Sequence, residues 1–465
     1  QILPKIRAIE HQKKTNDILA LLLYTSCKAP QQEPYRTGDG AMAAVETVRG
    51  VAWWKEPAKD QWYAFGAAWM GWTLDAFDFT IFLLIMLPIS KEFHVPLTAV
   101  TIVFTITLWM RLVGATASGW VADRVGRKVP LMISIFGYSL CNFIAGFSPT
   151  FLFLLFFRAL LGLFMGAEWP AGASLAMETW PIRSRGFMSG VLQGSWGLGF
   201  LLSSLVYGLF YKYIGWRGML WVGIAPALAL VYIRYFVKEP AVWLENRRLQ
   251  RTQKREVKVP LLKIFKPGML GNTITTCWFQ AAGFVTYYSI NALFATHLQK
   301  DLGLSPALIA TPIAFANILV FLGSSGWGWV SDKIGRRPAM IIPALCAVPL
   351  VPIYLFSGNF TWVVIAFVTQ GLFAGGAMYG QVPSYLTERF PTEIRGTATG
   401  FCYHVGAIPG AMVPPILTFF AITWNLGFAI PMAIGTLFGL ANFILSVAFG
   451  PETRGTEMSP DLVVV

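Results

Sequence analysis

Charged side chains are scarce. Lys, Arg, Asp and Glu make up 13% of the 465 residues, against 55% hydrophobic. A soluble domain of this length cannot cover its surface with so little charge. Cysteine is rare at five residues. Cys141, Cys277, Cys346 and Cys402 fall inside apolar runs and Cys27 in the N-terminal tail. No spacing suits a disulfide framework or a zinc site, so they read as small buried hydrophobes. No glycine-rich phosphate loop follows a strand, which disfavours an ATP-driven pump. No Ser-His-Asp set has a soluble scaffold. The expectation is therefore no enzyme, no metal and no cofactor. The net charge of +13 would suit nucleic acid, but the positive residues gather in short segments between apolar runs. That is the pattern of membrane topology, and no nucleic-acid partner is expected.

What is abundant is apolar sequence in runs of bilayer length. Six candidate spans lie near 62–87, 97–120, 129–147, 150–174, 186–210 and 216–237. Six more lie near 270–297, 304–330, 338–357, 360–386, 394–420 and 426–449. This predicts an all-α membrane protein of twelve transmembrane helices in two six-helix halves. The expected organisation is an N-terminal tail over 1–61, a first half over 62–238 and a basic linker over 239–269. A second half covers 270–450 and a tail 451–465. Met42-Ala-Ala-Val-Glu reads like a start, so residues 1–41 are expected to be an upstream extension or a disordered tail, without a signal-peptide pattern. The central basic segment reads as a plain linker, in part able to form an amphipathic surface helix. Lys and Arg crowd the even-numbered loops, at Arg124, Arg127, Lys128 and Lys333 for example. The odd-numbered loops hold only Lys91, Lys212, Arg217 and Lys300. That asymmetry places both termini in the cytoplasm of a cell-membrane protein.

The halves repeat one another. Gly119-Trp-Val-Ala-Asp123-Arg124-Val-Gly126-Arg127-Lys128 recurs as Gly328-Trp-Val-Ser-Asp332-Lys333-Ile-Gly335-Arg336-Arg337. Glu178-Thr-Trp-Pro181-Ile-Arg-Ser-Arg185-Gly186 recurs as Glu388-Arg-Phe-Pro391-Thr-Glu-Ile-Arg395-Gly396 at nearly the same spacing. Duplicated six-span halves describe a transporter that rocks about a central site.

The first motif, G-x-x-x-D-[RK]-x-G-R-[RK], resembles the hallmark of the major facilitator superfamily and is matched twice without a gap. The resemblance covers roughly residues 60 to 455. Leu74-Asp75-Ala-Phe-Asp78-Phe, Arg111, Arg158-x-x-x-Gly162-x-x-x-Gly166-Ala-Glu168 and Glu178-Thr-Trp-Pro181 look most like the sialate:proton symporter family. That group also holds lactate permeases, and its aromatic-acid symporter relatives carry a similar paired-Asp first helix. The sialate carriers have Asn where this chain has His404, and they carry extra central spans. Both departures point away from sialic acid itself.

Asp75, Asp78, Arg111, Arg158 and Glu168 lie inside spans, where each charge costs roughly 2.5–3.5 kcal/mol on insertion scales. Asp75 and Asp78 share one face of the first span with Gly71 and Phe82. Two carboxylates on one face do not both stay ionised comfortably, so the pair, with Arg158 and Glu168, is expected to load and release protons. A proton would free the arginine for a substrate anion; in the wider superfamily a span 1 Asp opposite a span 4 Arg plays this part. The alternative is a static buried salt bridge. Arg111 matches an Arg of the sialate group and is the expected carboxylate clamp; the alternative is an internal pair with Asp75 or Asp78. His404 and Tyr403 of span 11 and Gln193 of span 5 are expected at the substrate, though a lone buried His is often only a satisfied polar group. Asn291, Asn317, Gln370 and Tyr379 line the cavity or glue helices together. Trp69, Trp109 and Trp169 read as packing. Asp123, Arg124, Arg127, Glu178, Asp332, Arg336 and Glu388 are expected to gate the cytoplasmic side, with Glu178 pairing Arg124 or Arg127. The alternative is topology signals and caps. The reading is a proton-coupled symporter importing a small organic carboxylate as a monomer. A uniporter, an exporter or a ligand sensor are the alternatives.

Overall fold

A backbone surrounded by hydrocarbon must satisfy its own hydrogen bonds, and a helix does so within one segment. The computed structural model describes residues 52–254, 260–303 and 306–460, and holds no strand among them. The expected extension over 1–41 lies outside the described residues. Pro57–Val465 forms one compact unit.

The first half runs Lys59–Glu92, Leu97–Val125 and Lys128–Ala145, then Phe151–Met165 continued after a turn by Glu168–Thr179. Arg185–Val222 covers spans 5 and 6, broken at Gly215, whose φ of 62° and ψ of −172° leave the helical region. Span 6 is completed by Ala225–Leu228 and Ala229–Phe236. The second half runs Pro267–Asn291, Pro306–Ile334, Arg336–Ala347 with Leu350–Phe356, and Phe360–Gln370 with Val382–Glu388. Arg395–Thr423 and Ala429–Phe449 close it. In span 10 a wide π turn, Gly371–Ala377, follows Gln370.

Ten helices among the described residues are long and apolar enough to cross a membrane. The two expected spans that fall short do so for different reasons. Span 6 is divided into short pieces. Span 7 is long enough but too polar, with Asn272, Thr273, Thr275, Thr276 and Gln280 along it. Twelve-span architecture accommodates both, because a segmented or polar helix is tolerated where protein surrounds it.

Spans 2 and 11 pack together across the halves, as do spans 5 and 8. Within the first half, glycines set spans 2 and 4 at backbone contact. A Cβ on Gly162 would lie 2.2 Å from the Thr107 carbonyl oxygen, and one on Gly166 2.1 Å from that of Arg111. The segment between the halves is more than a linker. Its helix Ala241–Thr252 buries Trp243, Asn246 and Gln250. Trp243 Nε1 donates to the Asp123 carbonyl at 3.3 Å, and Asn246 Nδ2 to that of Pro460 at 2.8 Å.

Candidate functional site

A cavity of about 590 Å³ lies between the halves. It is bounded at one end by Arg111, Tyr403 and His404 and reaches past Gly208, Ile290 and Phe294 toward the face opposite the loop motifs. Among its described lining residues Arg111 is the one with a permanent charge.

Arg111 is also tied behind the cavity wall. Its Nη2 donates to Asp75 Oδ1 at 2.8 Å, and the guanidinium lies 4.7 Å from the Phe79 ring centroid. Arg111 faces the cavity and pairs internally with Asp75. Asp75 Oδ2 and Arg111 Nε have no hydrogen-bond partner. Asp78 is wholly buried with neither oxygen in a normal hydrogen bond. Arg158 does not pair with it directly. Arg158 Nη1 donates to Asn142 Oδ1 at 3.2 Å, and its guanidinium stacks 4.2 Å over Phe82. The direct ion pair of span 1 is therefore with span 2, not span 4. Glu168, in the first turn after the span 4 break, is buried with both oxygens unpartnered. Gly71 makes room for it: a Cβ there would lie 2.6 Å from Glu168 Oε1.

Three acids and two arginines thus share a buried cluster with few satisfied bonds. In a low-dielectric interior such groups are costly unless they are paired, hydrogen-bonded or neutralised. Sequence reasoning missed two members. Asn142 bridges toward Arg158, and the buried Tyr138 hydroxyl is unpartnered beside the acids. Their spacing, i and i+4 in an otherwise apolar span, was the available signal.

At the cavity wall, His404 Nδ1 lies 3.0 Å from the Gly400 carbonyl. A carbonyl only accepts, so Nδ1 carries the hydrogen and Nε2 of the neutral ring is left as an acceptor. Tyr403 stacks on Trp169 with centroids 3.9 Å apart. The Trp169 indole N–H is 3.5 Å from Gln193 Oε1, at the limit of a hydrogen bond. Trp169 is thus tied to the site, whereas Trp109 is exposed on the outside. Asn291 and Asn317 each donate one amide N–H to a carbonyl one turn back, and Tyr379 donates to Gly283. Aromatic lining that sequence reasoning passed over comes from Trp72, Trp196, Tyr287 and Tyr288. Nothing in a Phe- and Trp-rich sequence separates such residues from lipid-facing ones.

The motif face is sealed by two related networks. Asp123 accepts Gly396 N at 3.0 Å, Thr397 N at 2.9 Å and Thr397 Oγ1 at 2.7 Å, all across the halves. Asp332 accepts Gly186 N and Phe187 N, each at 2.8 Å. Each carboxylate sits on a helix N-terminus, where N–H groups are free and the dipole favours an anion. Arg127 joins Asp123 at 2.7 Å to Glu178 at 2.9 Å, and Arg336 joins Asp332 at 2.7 Å to Glu388 at 3.1 Å. Burial alone would lower the Arg127 pKa, but Glu178 and Asp123 outweigh it and raise it. Of the two candidates for Glu178, Arg127 takes it, while Arg124 lies 4.6 Å over the Trp120 ring. Arg395 completes the first network, 2.8 Å from Glu178, and Arg185 the second, 3.4 Å from Glu388. Glu239 and Glu452 cap the paired loops, accepting the backbone N–H of Arg127 and Arg336 at 2.7 and 2.8 Å. They too went unread; both lie just after the last span of a half, beside a proline.

The chain is 27% identical to the sialic acid transporter NanX of Escherichia coli, over 86% of this chain and 96% of the relative. It is 28% identical to the cis,cis-muconate transport protein of Acinetobacter baylyi, over 83% and 92%. A probable 4-methylmuconolactone transporter of Cupriavidus pinatubonensis is 29% identical, over 87% and 94%. The proton:xylose symporter XylE, solved with 6-bromo-6-deoxy-D-glucose, has the same fold: TM-score 0.69 at 18% identity, covering 86% of this chain and 98% of that one. The sequence profile of the Major Facilitator Superfamily matches residues 68–414 and again 276–460, so the chain belongs to that superfamily and is a membrane-spanning transporter, not an enzyme.

Proposed function

We propose that the chain is a proton-coupled symporter that imports a small organic carboxylate across the cell membrane by alternating access. One observation carries the reading. Arg111 lines the cavity, and the group that holds it there is a buried carboxylate, Asp75. An arriving substrate carboxylate and Asp75 compete for the same guanidinium. A proton on Asp75 removes the competitor, and the substrate then takes the fork bidentately. Asp78, Arg158 and Glu168 sit behind this exchange as the relay that brings or holds the proton. The sealed motif face, cytoplasmic by its Lys and Arg content, leaves the cavity reaching outward. That is the state in which an importer waits for substrate. Gln193, Tyr403 and His404 position the rest of the ligand.

The energetics separate stoichiometries. One proton with one monovalent anion moves no net charge. Each pH unit then supplies about 1.4 kcal/mol, a tenfold accumulation. Two protons make the cycle electrogenic and add ~2.3 kcal/mol per 100 mV. The test is uptake of labelled carboxylates by proteoliposomes with an imposed pH gradient, with and without protonophore. Asp75→Asn and Asp78→Asn should abolish uphill uptake and leave exchange of substrate for substrate. Full accumulation by both variants sinks the proton assignment. Uptake indifferent to the gradient makes the chain a uniporter.

A further inference from the structure

We infer that Cys277 and Cys402, with Arg389 beside them, form an oxidisable thiol pair: a modification site at which peroxide closes a reversible disulfide between spans 7 and 11. Spacing along the chain gave no hint of this pair, which only the packing of the two helices brings together.

Spans 7 and 11 run side by side in the same direction, and Gly406 and Gly410 bring them into contact. A Cβ on Gly406 would lie 2.5 Å from Gln280 Cβ and 2.6 Å from the Ala281 nitrogen, and one on Gly410 2.6 Å from Phe284 Cβ. One turn before that seam, Cys402 meets Cys277. The two thiols hydrogen-bond each other. Cys402 Sγ also lies 3.9 Å from the Thr273 carbonyl oxygen, one turn before Cys277. Both cysteines are free thiols. A disulfide needs Cα atoms within roughly 7 Å and sulfurs that can meet. Two helices in close contact, with one thiol already against the other, supply both.

A cation without a carboxylate stands beside the pair. Arg389 is 8% exposed, and its Nη1 has no hydrogen-bond partner. Its other nitrogens donate to neutral groups of span 7: Nε to Asn272 Oδ1 at 2.7 Å, and Nη2 to the Asn272 carbonyl and Thr275 Oγ1. The acidic groups its charge reaches are Tyr385 and the two thiols. A buried charge left in that condition is costly, and a thiolate would offset it. Cysteines turn nucleophilic in such electropositive, partly exposed settings. Cys277 is half-buried, and Cys402 wholly buried. Cys277 is therefore the thiol the oxidant reaches, and Cys402 the one that resolves it.

The oxidant is hydrogen peroxide. The Cys277 thiolate attacks one peroxide oxygen and the O–O bond breaks. The departing hydroxide, with the proton the thiol gave up, leaves as water. Cys402 sulfur then attacks the sulfenic acid on Cys277. The S–S bond forms, the S–O bond breaks, and hydroxide leaves with the Cys402 proton as a second water. Two electrons pass from the two sulfurs to peroxide. The bond pins the helices one turn before Gln280 and next to Tyr403 and His404, so it stiffens a wall of the cavity.

The test is peroxide treatment of the full-length chain in nanodiscs, then alkylation and mass spectrometry of unreduced peptides. Cys27→Ser with Cys346→Ser removes two other thiols. The expected product joins the Cys277 and Cys402 peptides with the loss of two hydrogens, and dithiothreitol restores both thiols. Cys402→Ser should stop at a Cys277 sulfenic acid that dimedone traps. Arg389→Gln should slow Cys277 oxidation roughly tenfold, and Arg389→Lys should recover most of the rate. If both thiols are still alkylated after peroxide has oxidised Cys346 in the parent chain, the inference is overturned. A disulfide to Cys141, a cross-link between two chains, or a Cys277 sulfinic acid with Cys402 still reduced overturns it equally.

Discussion

Asp123→Asn isolates what holds the motif face shut. The wild-type carboxylate spans the halves with three hydrogen bonds to Gly396 and Thr397. Its Oδ1 serves Gly396 N and Arg127, and Oδ2 serves both donors of Thr397. Asn keeps one acceptor oxygen and can retain the first pair. Its amide nitrogen then faces Thr397 N–H donor to donor. One buried N–H goes unmet, at about 1–3 kcal/mol. The anion on the helix N-terminus is also lost, at about 0.3–1 kcal/mol. In the open state water solvates either side chain, so the loss falls on the closed state alone. The closed population should drop against the open one by about 1–4 kcal/mol, roughly 10- to 1,000-fold. Spin labels on Val125 and Ile334, both exposed on that face, report the change by pulsed electron–electron distance measurement in a background lacking native cysteines. Asp332→Asn, with two cross-half bonds, should shift the same distance less. Unchanged distance populations in both Asp123→Asn and Asp123→Ala would refute the gating assignment and reduce the motif to caps and topology signals.

Other substitutions probe different links. Arg127→Gln leaves two buried carboxylates, Asp123 and Glu178, without their shared cation, so it should lower overall stability by about 3–5 kcal/mol, read by thermal unfolding monitored by size exclusion. Gly166→Ala drives a methyl into the Arg111 carbonyl. It should cost about 1–3 kcal/mol of stability and weaken carboxylate binding at least tenfold, while Gly326→Ala, with open space around it and away from the cavity, should do neither. Glu92 accepts from the Trp216 indole, which with Arg217 holds its carboxyl below the ordinary 4.5. The folded chain binds that proton less tightly than the unfolded chain, so the contribution is present above about pH 4.5 and fades as pH falls through the lowered value. Melting temperature should therefore decline in acid for the wild type and decline less for Glu92→Gln; equal slopes would dismiss the linkage.

The readable part of this chain was whatever repeats or violates the bilayer's rules. Apolar runs of bilayer length gave the spans, and the twice-occurring loop motif gave the duplication. Asp75, Asp78, Arg111, Arg158 and Glu168 announced themselves because charge inside a span is expensive. Pairing was not readable. Arg111 and Arg158 are equally plausible partners for a span 1 carboxylate on paper. Which one reaches Asp75 depends on how spans 1, 2 and 4 pack and rotate, and it is Arg111 that lies 2.8 Å from it. Arg124 and Arg127 posed the same ambiguity for Glu178, settled by the turn at Gly126, whose φ of 120° aims the chain back under span 4.

The sequence alone determined a two-fold helical membrane protein with buried ionisable groups, because hydrophobic length and charge burial are local, per-residue energies. Only the folded arrangement decided which acid holds the cavity's arginine, which tryptophans face the cavity rather than lipid, and which amides are left unpaired. Those depend on helix rotation and crossing distance, which arise when both halves pack and which no single segment encodes.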